Sequence, residues 1–128
     1  MKDLQKEADR LFSLLVRQHN SEDGLIFCCT CKKQMPWRES HCGHFMSRRH
    51  ISTRYEFKNT APQCTGCNTY QFGRQFEFGL YLDAKYGKGT AEEMLSKSNQ
   101  TVKKTQADYQ ILIDWLKKTL KENGYQIR

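Results

Sequence analysis

Six cysteines stand in a chain of 128 residues, and four of them repeat one spacing. Cys28-Cys29-Thr30-Cys31 holds a C-x2-C pair, and Cys64-Thr65-Gly66-Cys67 holds a second. A C-x2-C turn presents two thiolates on one side of a tight knuckle, and two such knuckles complete a tetrahedron around zinc. Metal lowers thiol pKa, so such ligands bind as thiolates at neutral pH. Cys28, Cys31, Cys64 and Cys67 are therefore expected to hold a structural Zn2+. Cys29 is a rival ligand, since C-x-C spacing also occurs, but Cys28 and Cys31 match the second knuckle. Cys42 reads as a small buried hydrophobe rather than a ligand. Residues 1–10 are charged, and no apolar run nears the ~20 residues of a membrane span. The expected compartment is thus a reducing cytoplasm, where cysteines serve metals more often than disulfides.

Between the knuckles lies Ser40-His41-Cys42-Gly43-His44-Phe45, and Asn68 follows the second knuckle at once. Phosphodiester hydrolysis needs a nucleophile, and neutral imidazole can take a proton from water near pH 7. It also needs a divalent cation to stabilise charge on the phosphate and the leaving oxygen. A histidine and an amide oxygen can hold such an ion while leaving most positions to water and phosphate. Taken alone, two histidines on a strand are ordinary surface or core residues, and an asparagine there is an ordinary helix cap. Their place between two cysteine knuckles, beside a basic cluster, favours chemistry. That cluster is Arg48, Arg49, His50 and Arg54, within a chain of 21 Lys+Arg against 14 Asp+Glu and net charge +7. Such a balance points to polyanions, nucleic acid foremost. Guanidinium fits phosphate bidentately, so the cluster is expected to position DNA rather than read its sequence.

The elements that must carry these residues are legible from periodicity. Leu4, Ala8, Leu11, Phe12, Leu15 and Val16 recur at helical spacing and predict a helix over residues 3–20. Residues 25–37 are short and Cys-rich, with Pro36 excluding a helix. A strand is expected over 39–46, a basic loop over 47–57 and a turn-rich approach to the second knuckle over 59–67. Residues 68–86 read as helical with a break near Gly73, ending at Gly87. Thr90 and Glu93 fit a capping box that opens a short helix to about Asn99. Tyr109, Leu112, Ile113, Leu116 and Leu120 predict a last helix stopped by Gly124. The fold class is α+β in a single domain, 1–128: an N-terminal helix over 1–20, a zinc-stapled centre over 25–72 and C-terminal helices over 74–128. With 38% apolar residues the core is thin, so a metal staple would help it.

Cys42-Gly43-His44-Phe45, Arg54-Tyr55-Glu56-Phe57-Lys58-Asn59, Pro62-Gln63-Cys64 with Cys67-Asn68, and the Lys85-Tyr86-Gly87 helix end resemble the NinG (Rap) recombination proteins of lambdoid phages. The likeness covers roughly residues 4–87, and the C-terminal helix is similar in pattern only. The knuckle layout with its histidine pair also resembles the ββα-metal (HNH, His-Me finger) nucleases. Among them is the phage endonuclease VII family, which cleaves branched DNA. The resemblance implies that the four knuckle cysteines bind structural zinc and that His44 is the general base. It places His41 where that endonuclease family has a metal-binding aspartate, and Asn68 where it has a metal-binding asparagine. Asn59 matches the middle asparagine that braces the loop. An imidazole is softer than a carboxylate and suits manganese, so the catalytic ion is left as Mg2+ or Mn2+.

The implied function is a metal-dependent DNA endonuclease acting on Holliday junctions or other branched DNA in phage recombination, alongside recombination proteins. A general or homing-type HNH nickase on linear duplex and a non-catalytic zinc module binding DNA or a recombinase are the alternatives. The Tyr109–Leu120 stripe is expected to leave apolar surface for a homodimer that sets two sites on one junction.

Overall fold

The computed structural model describes all 128 residues. Helix α1 spans Lys2–His19 and buries Ala8, Leu11, Phe12, Leu15 and Val16 along one face. Helix α5, Gln106–Glu122, buries Tyr109, Ile113, Leu116 and Leu120. These two faces join in one core cluster. The stripe expected to pair two subunits is thus consumed inside the chain, because α1 offers a matching stripe. Thr105 caps α5: its hydroxyl accepts from Asp108 N at 3.1 Å, and Asp108 accepts from Thr105 N at 2.8 Å.

The capping box expected at Thr90 does not form. Helix α4, Thr90–Ser98, is preceded by Gly89 at φ 96°, an N-cap residue with no side chain to cap it. The Thr90 hydroxyl turns back to Gly87 O at 2.7 Å instead. The free Ala91 N–H is served at 2.9 Å by Asp83. That residue belongs to the neighbouring helix α3, Gln75–Tyr86. A tertiary acceptor has replaced the local one.

Two antiparallel pairs make up the β-structure. Strands β1 (Leu25–Phe27) and β2 (Gln34–Pro36) form a hairpin whose connection carries the first cysteine pair. Strand β3 (His41–His44) pairs with β4 (Thr60–Gln63), setting His41 opposite Gln63 and His44 opposite Thr60. The strand within 59–67 was masked by Pro62, which lacks a ladder donor. Its carbonyl still works, accepting from Cys29 N at 3.0 Å and so joining β4 to the first knuckle. The connection between β3 and β4, expected as loop, contains a short helix α2, Ile51–Arg54.

After the second knuckle the chain makes one π-helical turn, Gly66–Tyr70, before α3. The break expected near Gly73 is present, with Phe72, Gly73 and Arg74 all at positive φ. Helix α3 lies on the sheet through a small core of Cys29, Ala61, Phe78 and Leu82. Gly43 permits this approach: a Cβ there would sit 2.4 Å from Gln63 Oε1 and 3.0 Å from the Phe78 ring. No helix is long and apolar enough to cross a membrane. The class is α+β, five α-helices around two small sheets.

Candidate metal centre and cleft

The sulfur atoms of Cys28, Cys31, Cys64 and Cys67 all lie within 4.8 Å of one another. Cys31 Sγ and Cys64 Sγ are 3.7 Å apart. A tetrahedral site with metal–sulfur bonds of about 2.3 Å has edges of about 3.8 Å. The four cysteines therefore form a cluster able to hold a metal ion such as zinc. Burial works against charge on Cys28, but the Thr30 hydroxyl and the Cys31 and Cys64 backbones outweigh it and bring the thiol down to about 6. Gln63, wholly buried, donates to Thr30 Oγ1 at 3.1 Å and to Gly73 O at 2.8 Å. One amide thus ties the first knuckle to the segment beyond the second.

Cys29 lies outside the cluster. It packs with Ala61, Phe78 and Leu82, and burial pushes its thiol far up. The C-x-C alternative therefore has no place in this geometry. Cys42 packs against the α1–α5 core, and burial raises its thiol to about 12.

A cleft of about 710 Å³ opens between α1, β3 and the segment after the second knuckle. His41, His44, Asn68, Arg48, Asp9 and Phe72 are among its lining residues. His44 Nε2 lies 3.0 Å from Arg54 O. A carbonyl can only accept, so Nε2 carries the proton and Nδ1 keeps the lone pair. Burial lowers the His44 pKa to about 4, which leaves the ring neutral at pH 7.

Arg54 is held in turn. Its guanidinium grips Asp9 of α1 at 2.9 and 2.5 Å and donates to Arg48 O at 2.6 Å. The Tyr55 hydroxyl donates to the same carboxylate at 2.8 Å. Arg54 was expected on phosphate; its side chain is instead only 12% exposed and engaged within the fold. Asp9 was not a sequence candidate, because nothing local marks an acid whose partners lie 45 and 46 residues away.

His41 Nδ1 accepts from the Asn68 amide Nδ2 at 2.9 Å, which leaves its Nε2 to donate to the Thr65 hydroxyl at 3.2 Å. An imidazole nitrogen and an amide thus share one point of the cleft wall, while a hydroxyl orients the other side of the ring. As placed, the His41 lone pair is taken by the amide N–H, so the pair could ligate a divalent ion only with the amide turned to present its oxygen. Asn59 is wholly buried and braces the β3–β4 connection. Its amide accepts from Met46 N at 2.8 Å and donates to Met46 O at 3.0 Å and Thr53 O at 3.1 Å.

Among the basic candidates, Arg48 is 62% exposed and reaches to 3.8 Å from Asp9. Arg49 is exposed and His50 half-buried beside it, 3.4 Å apart. Arg17 of α1 adds a cation that sequence reasoning missed. It lines the cleft and donates to Ser13 Oγ at 2.9 Å and Ser40 O at 3.2 Å. Its signal was hidden in the polar side of an amphipathic helix.

The family described as Bacteriophage Lambda NinG protein matches residues 1–124 of the chain. No curated protein and no solved structure matches it.

Proposed function

From the premise that the chain belongs to the Bacteriophage Lambda NinG protein family, we propose that it is a metal-dependent DNA endonuclease of the HNH, ββα-metal type, acting on branched DNA in phage recombination. The observation that carries this reading is His44, its Nε2 fixed by the Arg54 carbonyl, lining a cleft that also holds His41, Asn68 and Arg48. The order β3, β4, then a helical turn bearing Asn68 supports the same reading.

In this account His44 Nδ1 takes a proton from the attacking water. His41 Nδ1 and the Asn68 amide oxygen, once the amide turns, would hold Mg2+ or Mn2+, and the ion would supply charge stabilisation to the phosphate and the leaving oxygen. Arg48, Arg49 and His50 meet DNA phosphates and fix the strand across the cleft. Zn2+ at the four cysteines fixes the two knuckles that flank β3. The preference for branches rests on the place of this family in phage recombination and on phosphate contacts, which carry no sequence information and leave selectivity to the shape of the nucleic acid.

The test compares four-way junction, flap, linear duplex and single strand at fixed salt with Mg2+ or Mn2+. Junction or flap should be cut faster than linear duplex of the same sequence. His44→Ala should lower cleavage by roughly 10²–10⁴-fold, the usual weight of a general base, with metal content and DNA binding retained. No cleavage of any substrate, or an unaffected His44→Ala protein, would overturn the assignment. Equal cutting of linear duplex would leave a general HNH nickase.

A further inference from the structure

Three aromatic side chains on this chain stand out by exposure: Tyr70 at 72%, Phe72 at 92% and Phe76 at 75%. They fall within the short stretch that follows Asn68. Apolar rings left in water forgo the burial free energy that places aromatics in cores, so the one that lines a cleft is a candidate contact for a ligand. Phe72 is the most telling. Its backbone sits at φ 54°, followed by Gly73 at 88° and Arg74 at 46°, a conformation that bulky residues seldom adopt. The turn is held firmly: Gly73 N donates to Cys67 O at 2.8 Å, Gln63 Nε2 to Gly73 O at 2.8 Å, and Arg74 N to Gln71 O at 3.1 Å. A buried amide and the second knuckle thus keep an unfavourable turn whose one visible effect is to present a ring at the cleft. Phe72 lines the same cleft as His41, Asn68, Arg48 and Arg17.

We propose that Phe72 is a stacking platform for a nucleobase that has left its duplex, next to the phosphate held in the cleft. The inference rests on the DNA-binding reading above and adds how the site tells branched from linear DNA. A flat π-face bordered by guanidinium groups matches a nucleotide in both its parts: the ring takes the base, the cations take the phosphate. Single-strand binders use this combination because every base has a π-face, so stacking is tolerant of sequence. A linear duplex keeps its bases stacked inside and offers Phe72 nothing. Branch points and single strands offer unstacked bases.

The test uses 2-aminopurine placed at the branch point of a four-way junction, or within a single strand, with no divalent metal added. Full-length protein should quench its fluorescence on binding, and His44→Ala protein should do the same. Phe72→Asn removes the ring while suiting the left-handed backbone. It should bind branched and single-stranded DNA roughly 5–150-fold more weakly, the weight of one base–aromatic stack. Its affinity for linear duplex and its metal content should not change, and its melting temperature should not fall, since Asn relieves the left-handed backbone. Phe72→Trp should keep both the affinity and the quenching, which guards against a loss that is merely structural. Equal weakening on linear duplex, or no weakening at all, overturns the platform. Quenching without cleavage of any DNA would sink the nuclease reading and leave the platform standing. Cleavage with branch preference intact in Phe72→Asn would do the reverse.

Discussion

At His44, three facts about one ring converge on its chemistry. The Arg54 carbonyl fixes the proton on Nε2, burial keeps the ring neutral, and the residue lines the cleft. The carbonyl is itself immobilised, because Arg54 is clamped to Asp9 of α1. Asp9 is accordingly a positioning residue: through Arg54 it holds the backbone that sets the ring's tautomer. The folded pKa of about 4 lies below the ordinary histidine value, and this has a definite sign for stability. As pH falls from about 6.5 toward 4, the unfolded chain binds the proton first, so folding is weakened across that window and spared above it. Melting temperatures measured between pH 7 and pH 5 should fall more steeply for the natural protein than for His44→Gln. Cysteine protonation lowers both, so the difference between the two slopes is the reading. Parallel slopes would mean that His44 titrates as an exposed ring.

At the scale of elements, what could be read locally was read well. The two C-x2-C pairs and the stripes of α1 and α5 repeat over a few residues, and the structure places each as its spacing requires. What depended on a distant partner was hidden. Thr90 and Thr105 look alike as caps, but only Thr105 caps, because Asp83 from α3 already serves the α4 terminus. Strand β4 was obscured by Pro62, and the role of Asp9 by the distance to Arg54 and Tyr55. Spacing alone favoured Cys28 over Cys29, and the reason is tertiary: β4 and α3 draw Cys29 into an apolar cluster.

That last distinction yields a contrast between neighbours. A structural zinc contributes on the order of 10–16 kcal/mol in small domains, against a whole-domain stability of about 5–15 kcal/mol. Cys64→Ser should therefore cost the folded state itself. Cys29→Ala removes only a small buried group and should lower stability by about 1–2 kcal/mol. Elemental analysis of Cys29→Ala should still give one tightly held zinc per chain. If zinc is lost there while Cys28→Ala retains it, the first knuckle has been assigned to the wrong sulfur.

On the scale of the whole molecule, the α1–α5 pair does more than fill a core. Helix α1 turns one side to α5 and carries Asp9 and Arg17 into the cleft with another, so the packing of two distant segments sets one wall of the site. Leu116 belongs to that seam and is wholly buried within a single chain. Leu116→Ala should cost about 2–5 kcal/mol, the transfer term plus the cavity left behind. The same stripe serving as a dimer seam would behave differently. Binding linked to folding makes a melting temperature rise with protein concentration, whereas a seam inside one chain does not. Melts of the natural protein and of Leu116→Ala over a hundredfold range of concentration should thus shift by the same amount at every concentration. The variant should also lose DNA cleavage as α1 loosens, while the cysteine cluster, which packs apart from this seam, keeps its metal. A destabilisation that fades as concentration rises would return Leu116 to an interface between two copies. The cleft wall would then be a property of the dimer rather than of the chain.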